Sequence, residues 1–191
     1  MEAFLISAAI VALAEMGDKT QLLSFILAAR FRTRWPIILG ILAATLANHA
    51  LAAALGTWIT SLLGPEALRW LLGLSFIAMA IWILIPDKLE GTHPTLSRYG
   101  VFATTLVTFF IAEIGDKTQI ATIALAAQYQ ALTAVVIGTT LGMMIANVPA
   151  VLLGDRIAAR LPLKPIRIIT AILFLLLGIA TLFGAASRFG L

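Results

Sequence analysis

The sequence predicts an all-α membrane protein with six transmembrane helices, built as two inverted-topology repeats of three helices each. Three observations carry this reading. The 191 residues are 61% hydrophobic and 12% charged, with apolar runs of about twenty residues or more throughout; such runs match a hydrocarbon core of about 30 Å at 1.5 Å rise per residue. The string Ala14-Glu15-Met16-Gly17-Asp18-Lys19-Thr20-Gln21 returns 98 positions later as Ala112-Glu113-Ile114-Gly115-Asp116-Lys117-Thr118-Gln119. At the same offset, without a gap, Gly40 meets Gly138, Gly56 meets Gly154, Arg69 meets Arg167 and Phe76 meets Phe174.

The apolar runs read as spans near 3–29, 36–63 and 67–86, then 100–127, 132–154 and 165–186. The first ends in Arg30 to Arg34 followed by Pro36, and the second at Gly64-Pro65. The third runs into the polar stretch from Pro86 to Arg98. Gln128-Tyr129-Gln130 closes the fourth, and Leu161-Pro162-Leu163-Lys164-Pro165 separates the last two. Proline and charge both resist a continuing buried helix. Because three spans is an odd number, the second repeat starts from the opposite face of the membrane. The whole chain, 1–191, reads as a single membrane domain: repeat one at 1–86, a cytoplasmic linker at 87–99 and repeat two at 100–191.

Loop charge sets the orientation. Arg30, Arg32, Arg34, Lys88, Arg98, Arg156, Arg160, Lys164 and Arg167 collect on one side, against Arg69 and Arg188 on the other. The positive-inside rule makes the first side cytoplasmic and both termini external. The same rule accounts for the net charge of +4 and removes the need for a nucleic-acid partner. Trp35, Trp58, Trp70 and Trp82 fall near span ends, as an interfacial aromatic belt requires. The absence of cysteine excludes disulfides and thiolate metal sites. Residues 1–14 end in Ala12-Leu13-Ala14, which resembles a signal-peptide cleavage site, but Glu2 stands where a basic residue is needed, so the segment is expected to be retained.

The repeated string is the expected functional site. An ionisable group at bilayer depth costs roughly 2.5 kcal/mol or more, so such groups line cavities, pair or carry ions. Glu15 lies about 18 Å along its span, near the midplane, and Glu113 reaches similar depth from the other face. On an uninterrupted helix Glu15, Asp18, Lys19 and Leu22 share one face, and Glu113, Asp116, Lys117 and Ile120 repeat it. Ser24 and Thr122 would lie nearly opposite the acids and receive no role. Gly17 and Gly115 either admit a neighbouring helix or ion or mark local unwinding. Thr20, Gln21, Thr118 and Gln119 add neutral oxygens.

Four carboxylates and two ammonium groups sum to −2, which one divalent cation neutralises. The oxygens offered are hard, suiting Ca²⁺, Mn²⁺ or Mg²⁺ over Zn²⁺ or Cu⁺. The competing structural reading pairs Glu15 with Lys19 and Glu113 with Lys117 at i,i+4, but leaves Asp18 and Asp116 unexplained. His49, beside Asn48, aligns with Asn147; a lone histidine in a span is more often a hydrogen-bonder between helices than a ligand. Met143 and Met144 read as core filling.

The duplicated Glu-x-Gly-Asp-Lys-Thr in two three-span halves resembles the calcium:proton antiporter-2 family, which includes Golgi and chloroplast Ca²⁺/Mn²⁺ transporters and bacterial manganese exporters. The resemblance covers nearly the whole chain. It implies exchange of a divalent cation for protons, with Glu15, Asp18, Glu113 and Asp116 as the ion-binding acids and no resident cofactor. The short chain and short central linker look most like bacterial members, implying Mn²⁺, ahead of Ca²⁺, exported across a prokaryotic inner membrane. The expected partners are lipid, the metal ion and protons; a homo-oligomer is compatible with the sequence but not specified by it. Two other readings stand beside this one: an exporter of small solutes such as basic amino acids, and an intramembrane aspartyl protease. The protease reading lacks aspartates in dissimilar contexts and a Pro-Ala-Leu element.

Overall fold

The computed structural model describes residues 1–86, 100–153 and 163–184; the expected linker at 87–99 lies outside them. Among the described residues the chain is wholly helical: α1 (Glu2–Glu15), α2 (Lys19–Phe31), α3 (Arg34–Leu62), α4 (Pro65–Ile83), α5 (Gly100–Glu113), α6 (Lys117–Tyr129), α7 (Leu132–Leu153) and α8 (Leu163–Leu182). Four of these, α3, α4, α7 and α8, are long and apolar enough to cross a membrane.

The runs expected as continuous helices at 3–29 and 100–127 are each broken in two at the repeated string. Gly17 and Gly115 take φ of +80° and +73°, left-handed backbone that glycine adopts without a Cβ penalty. The following aspartates are extended, at φ −85° and ψ 169° for Asp18 and φ −81° and ψ 165° for Asp116, and they cap α2 and α6. Asp116 Oδ1 accepts from the backbone N–H of Lys117 at 2.8 Å, the local bond by which aspartate favours a helix start over a helix interior. The single-face argument for Glu15, Asp18, Lys19 and Leu22 therefore fails: Glu15 ends one helix, Asp18 starts the next, and Leu22 is 37% exposed.

The halves pack through each other. α1 lies along α7 and α5 along α3; α2 also packs on α7, α6 on α3, and α3 meets α7. The correspondence extends to residues. A Cβ on Gly40 would lie 2.7 Å from Thr105 Cβ and 2.9 Å from the Phe102 carbonyl, while one on Gly138 would lie 3.1 Å from Ser7 Cβ and 2.5 Å from the Phe4 carbonyl. All three positions in the second contact are displaced by 98 from those in the first. Helices in lipid lack a hydrophobic drive toward one another and gain by close approach at small residues.

α4 and α8 form a pair of their own. Gly73 and Gly178 let them approach, and the rings of Phe76 and Phe174 sit 6.3 Å apart. This pair packs against α1 and α6. Leucine and isoleucine on the outer helix faces, such as Leu39, Leu46, Ile172 and Leu176, are exposed, as lipid contact requires. Arg167, counted in the sequence as a loop charge, lies inside α8 with its side chain directed at Gly17.

A candidate cation site at the helix breaks

Breaking a helix frees carbonyls at the end of one half and N–H groups at the start of the next. Both strings use glutamine to cover one such donor: Gln21 Oε1 accepts from Gly17 N at 2.9 Å, and Gln119 Oε1 from Gly115 N at 2.7 Å. The same glutamines reach the opposite repeat. Gln21 Nε2 donates to the Ala146 carbonyl at 3.0 Å, and Gln119 Nε2 donates to Asn48 Oδ1. Asn48 is itself anchored by donating to the Phe110 carbonyl at 3.2 Å. Thr20 and Thr118 turn back to donate to Glu15 and Glu113. Gln21, Gln119, Asn48, Thr20 and Thr118 thus hold the breaks and orient the acids.

The two strings are brought together. Glu15 and Glu113 are wholly buried, and Asp18 and Asp116 are 5% and 2% exposed. Glu15, Glu113 and Asp116 each offer a carboxylate oxygen within 4.8 Å of the others. Glu15 Oε1, Glu113 Oε1 and Asp116 Oδ2 have no hydrogen-bond partner among the described residues, an arrangement too costly to persist without a cation or protons. Asp18 stands outside this triad and pairs with Lys117 at 3.7 Å.

The lysines do not follow the i,i+4 expectation. Lys19 Nζ lies 3.4 Å from Asp116 Oδ1, and Lys117 Nζ lies 3.7 Å from Asp18 Oδ1. Each ion pair crosses from one repeat to the other, because the break turns each lysine away from the glutamate four residues before it. Both aspartates and both lysines of the two strings are therefore paired with the opposite half of the chain.

Residues flanking the strings complete the site. Ser24, given no role in the sequence, is buried and donates Oγ to Asn147 Oδ1 at 2.7 Å; once α2 is detached from α1, the ideal-helix angle that set Ser24 aside no longer applies. Thr122 is buried and donates to the Thr118 carbonyl at 2.7 Å. Asn147 donates to the Met143 carbonyl at 3.0 Å. His49 departs from the hydrogen-bonding role expected of it. It is completely buried, its Nε2 stands 4.0 Å from Glu113 Oε2, and neither ring nitrogen has a hydrogen-bond partner among the described residues. Its Nε2 thus lies next to the Glu113 oxygen that accepts from Thr118, an approach of imidazole to carboxylate that sequence spacing alone did not reveal.

The sequence profile of the divalent cation/proton antiporter GDT1 matches residues 3–91 and 101–188. A "Putative manganese exporter" of Vibrio cholerae is 56% identical over 184 residues, covering 96% of this chain and 92% of that protein. A GDT1-like protein of Synechocystis is 29% identical and covers 95% and 97% of the two chains. GDT1-like protein 3 of rice is 28% identical, covering 95% of this chain and 74% of its own. No solved structure matches. With nearly the whole chain matched and the duplicated acids gathered at two helix breaks, this protein belongs to the GDT1 family of divalent cation/proton antiporters.

Proposed function

We propose that this chain exports Mn²⁺ from a prokaryotic cytoplasm in exchange for protons, binding the ion among Glu15, Glu113 and Asp116, with Asp18 joining when Lys117 releases it. The family is one of transporters, so the protein is not an enzyme and the protease reading falls. The observation that carries the proposal is the buried carboxylate triad with one unpaired oxygen on each acid. An inverted repeat of six spans, with α1–α2 and α5–α6 each forming one broken span, is supported by the exchange of contacts between Gly40 with Phe102 and Thr105 and Gly138 with Phe4 and Ser7. Both termini then face outward.

The electrostatics favour exchange over simple release. Moving a divalent ion outward against 100 mV, inside negative, costs about 4.6 kcal/mol at roughly 2.3 per charge. Inward proton flow offsets it if both ions compete for the same oxygens. A proton on any triad acid removes a ligand charge, so cation affinity falls as pH falls. The half-helices bring both dipole signs to the site: α1 and α5 end at Glu15 and Glu113, while α2 and α6 start at Asp18 and Asp116, where positive ends favour the ionised aspartates.

Mn²⁺ is favoured over Ca²⁺ and Mg²⁺ by His49, a nitrogen donor beside Glu113. Imidazole prefers transition metals to the alkaline earths, which take oxygen. The relative that is 56% identical carries a manganese exporter's name, in the same direction. Reconstitution in liposomes with an imposed pH gradient and clamped potential tests the proposal. Uphill Mn²⁺ movement driven by protons is expected, exceeding that of Ca²⁺. Downhill-only flux that ignores the gradient refutes exchange, and amino-acid flux without metal flux would favour the small-solute exporter.

A further inference from the structure

The two repeats agree in sequence at their breaks but differ in what surrounds them. At Gly17, Leu163 lies so close that a Cβ would fall 2.6 Å from its Cδ2, and Arg167 Nη2 donates to the Gly17 carbonyl at 3.2 Å. At Gly115, the equivalent position, a Cβ would meet no described atom within 4 Å. Arg69, the counterpart of Arg167, instead lies 3.8 Å from Glu66 with 42% of its side chain exposed. It borders a cavity of about 660 Å³ shared with Pro65, Gln128 and Gln130.

The lysines repeat the asymmetry. Lys117 Nζ donates to the Ile85 carbonyl at 3.1 Å, just past the end of α4, and its side chain is 5% exposed. The side chain of its counterpart Lys19 is 26% exposed; Ile85 and its counterpart Phe183 are both exposed, so the asymmetry lies in the lysines. In helix packing, α8 lies on α1 and α4 lies on α6. Exchange of the repeats would place α4 on α5 and α8 on α2, and neither is a substantial interface among the described residues.

Equivalent residues in unlike surroundings are what one of two exchange-related arrangements looks like. We propose that Arg167 and Arg69 are alternate latches for the α4–α8 pair. In this structure the pair is docked on half-helices α1 and α6, with Arg167 holding the carbonyl of Gly17. In the second arrangement it docks on α5 and α2, with Arg69 holding the carbonyl of Gly115. A guanidinium suits this task because the Gly17 carbonyl lies in the break between α1 and α2 and accepts a charge-assisted hydrogen bond. Both arginines are positioning residues that touch no transported ion.

The inference rests on the inverted-repeat carrier reading. In that topology α1 and α6 share the outer half of the membrane and α2 and α5 the cytoplasmic half. The present docking covers the acids from outside, and the second covers them from within.

The chain has no cysteine, so paired substitutions report docking directly in the full-length protein in liposomes. Ala9 and Leu176 line one crevice between α1 and α8; their counterparts are Val107 and Ala78. With a short bifunctional maleimide, Ala9→Cys with Leu176→Cys should cross-link from the present arrangement, and Val107→Cys with Ala78→Cys from the second. Arg167→Gln should shift the ratio toward the second pair, and Arg69→Gln toward the first, each by about fivefold or more for loss of one charge-assisted hydrogen bond.

Absence of the second cross-link at every pH and Mn²⁺ concentration overturns the proposal. So does a shift of the ratio in the same direction, or no shift, in both arginine variants. The readout needs no transport. If Asp116→Asn abolishes flux while the second pair never links, the latches fall and the cation site stands; if Asp116→Asn transports normally, the site falls whatever the cross-links show.

Discussion

Lys117 and Asp18 come from different repeats and meet at 3.7 Å with 5% of each side chain exposed. At that separation and an effective dielectric of about 20, their attraction is about 4.5 kcal/mol. Removing one partner of a buried pair typically costs about 3–5 kcal/mol, because the other is left buried and uncompensated. Lys117→Met and Asp18→Asn should therefore each destabilise the protein by about 3–5 kcal/mol, and the double variant by less than their sum, with a coupling of about 2–4 kcal/mol. Lys117 also donates to the Ile85 carbonyl, and that loss cancels in the cycle. The same cycle with Glu113→Gln, the i,i+4 neighbour, should give a coupling smaller by about 1 kcal/mol or more. Unfolding in mixed micelles, followed by the fluorescence of Trp35, Trp58, Trp70 and Trp82, measures all of these. A larger coupling of Lys117 to Glu113 than to Asp18 would refute the crossed pairing and restore an ordinary helical ion pair.

Glu15→Gln, Glu113→Gln and Asp116→Asn should each lower Mn²⁺ flux by more than about 100-fold, beyond the roughly 10–100-fold typical of an outer partner, with the protein still inserted; near-normal flux in all three would remove the site. His49→Asn, which copies the residue at the equivalent position of repeat two, should lower the Mn²⁺ over Ca²⁺ preference by about 10-fold in competition uptake, and an unchanged preference would return His49 to a packing role. Raising the pH should strengthen Mn²⁺ binding, since deprotonation restores the ligand charge; titration calorimetry showing weaker binding at higher pH would contradict a shared proton and metal site. Thr33→Cys and Gly64→Cys, exposed between α2 and α3 and between α3 and α4, should label only from the cytoplasmic and outer sides respectively, and labelling of both from one side would overturn the topology.

The sequence by itself determined the helical membrane class, the duplication and which buried acids are the candidates for a site. Each follows from one-dimensional facts: hydrocarbon thickness fixes run length, charge is costly at depth, and a gapless offset reveals duplication. It also identified Gly17 and Gly115 as places where a helix could unwind, while leaving close packing as the equal alternative. Only tertiary structure decided between them, because whether a glycine adopts positive φ depends on what else can satisfy the freed backbone groups. Here Gln21 and Gln119 do so while anchored across the repeat interface.

Once the helices break, side-chain directions read from a 3.6-residue period no longer apply. Lys19 turns to Asp116, Lys117 to Asp18 and Ser24 to Asn147, and no spacing within one string encodes a partner about a hundred residues away. His49 shows the same limit: a histidine in an apolar run is ambiguous until its neighbours are known, and only folding sets its unpaired nitrogens beside Glu113. The difference between the two breaks was not legible in the strings themselves, which differ only at Met16 and Ile114. That inequality arises because α4 and α8 are packed against α1 and α6 and leave the equivalent surfaces of α5 and α2 without them.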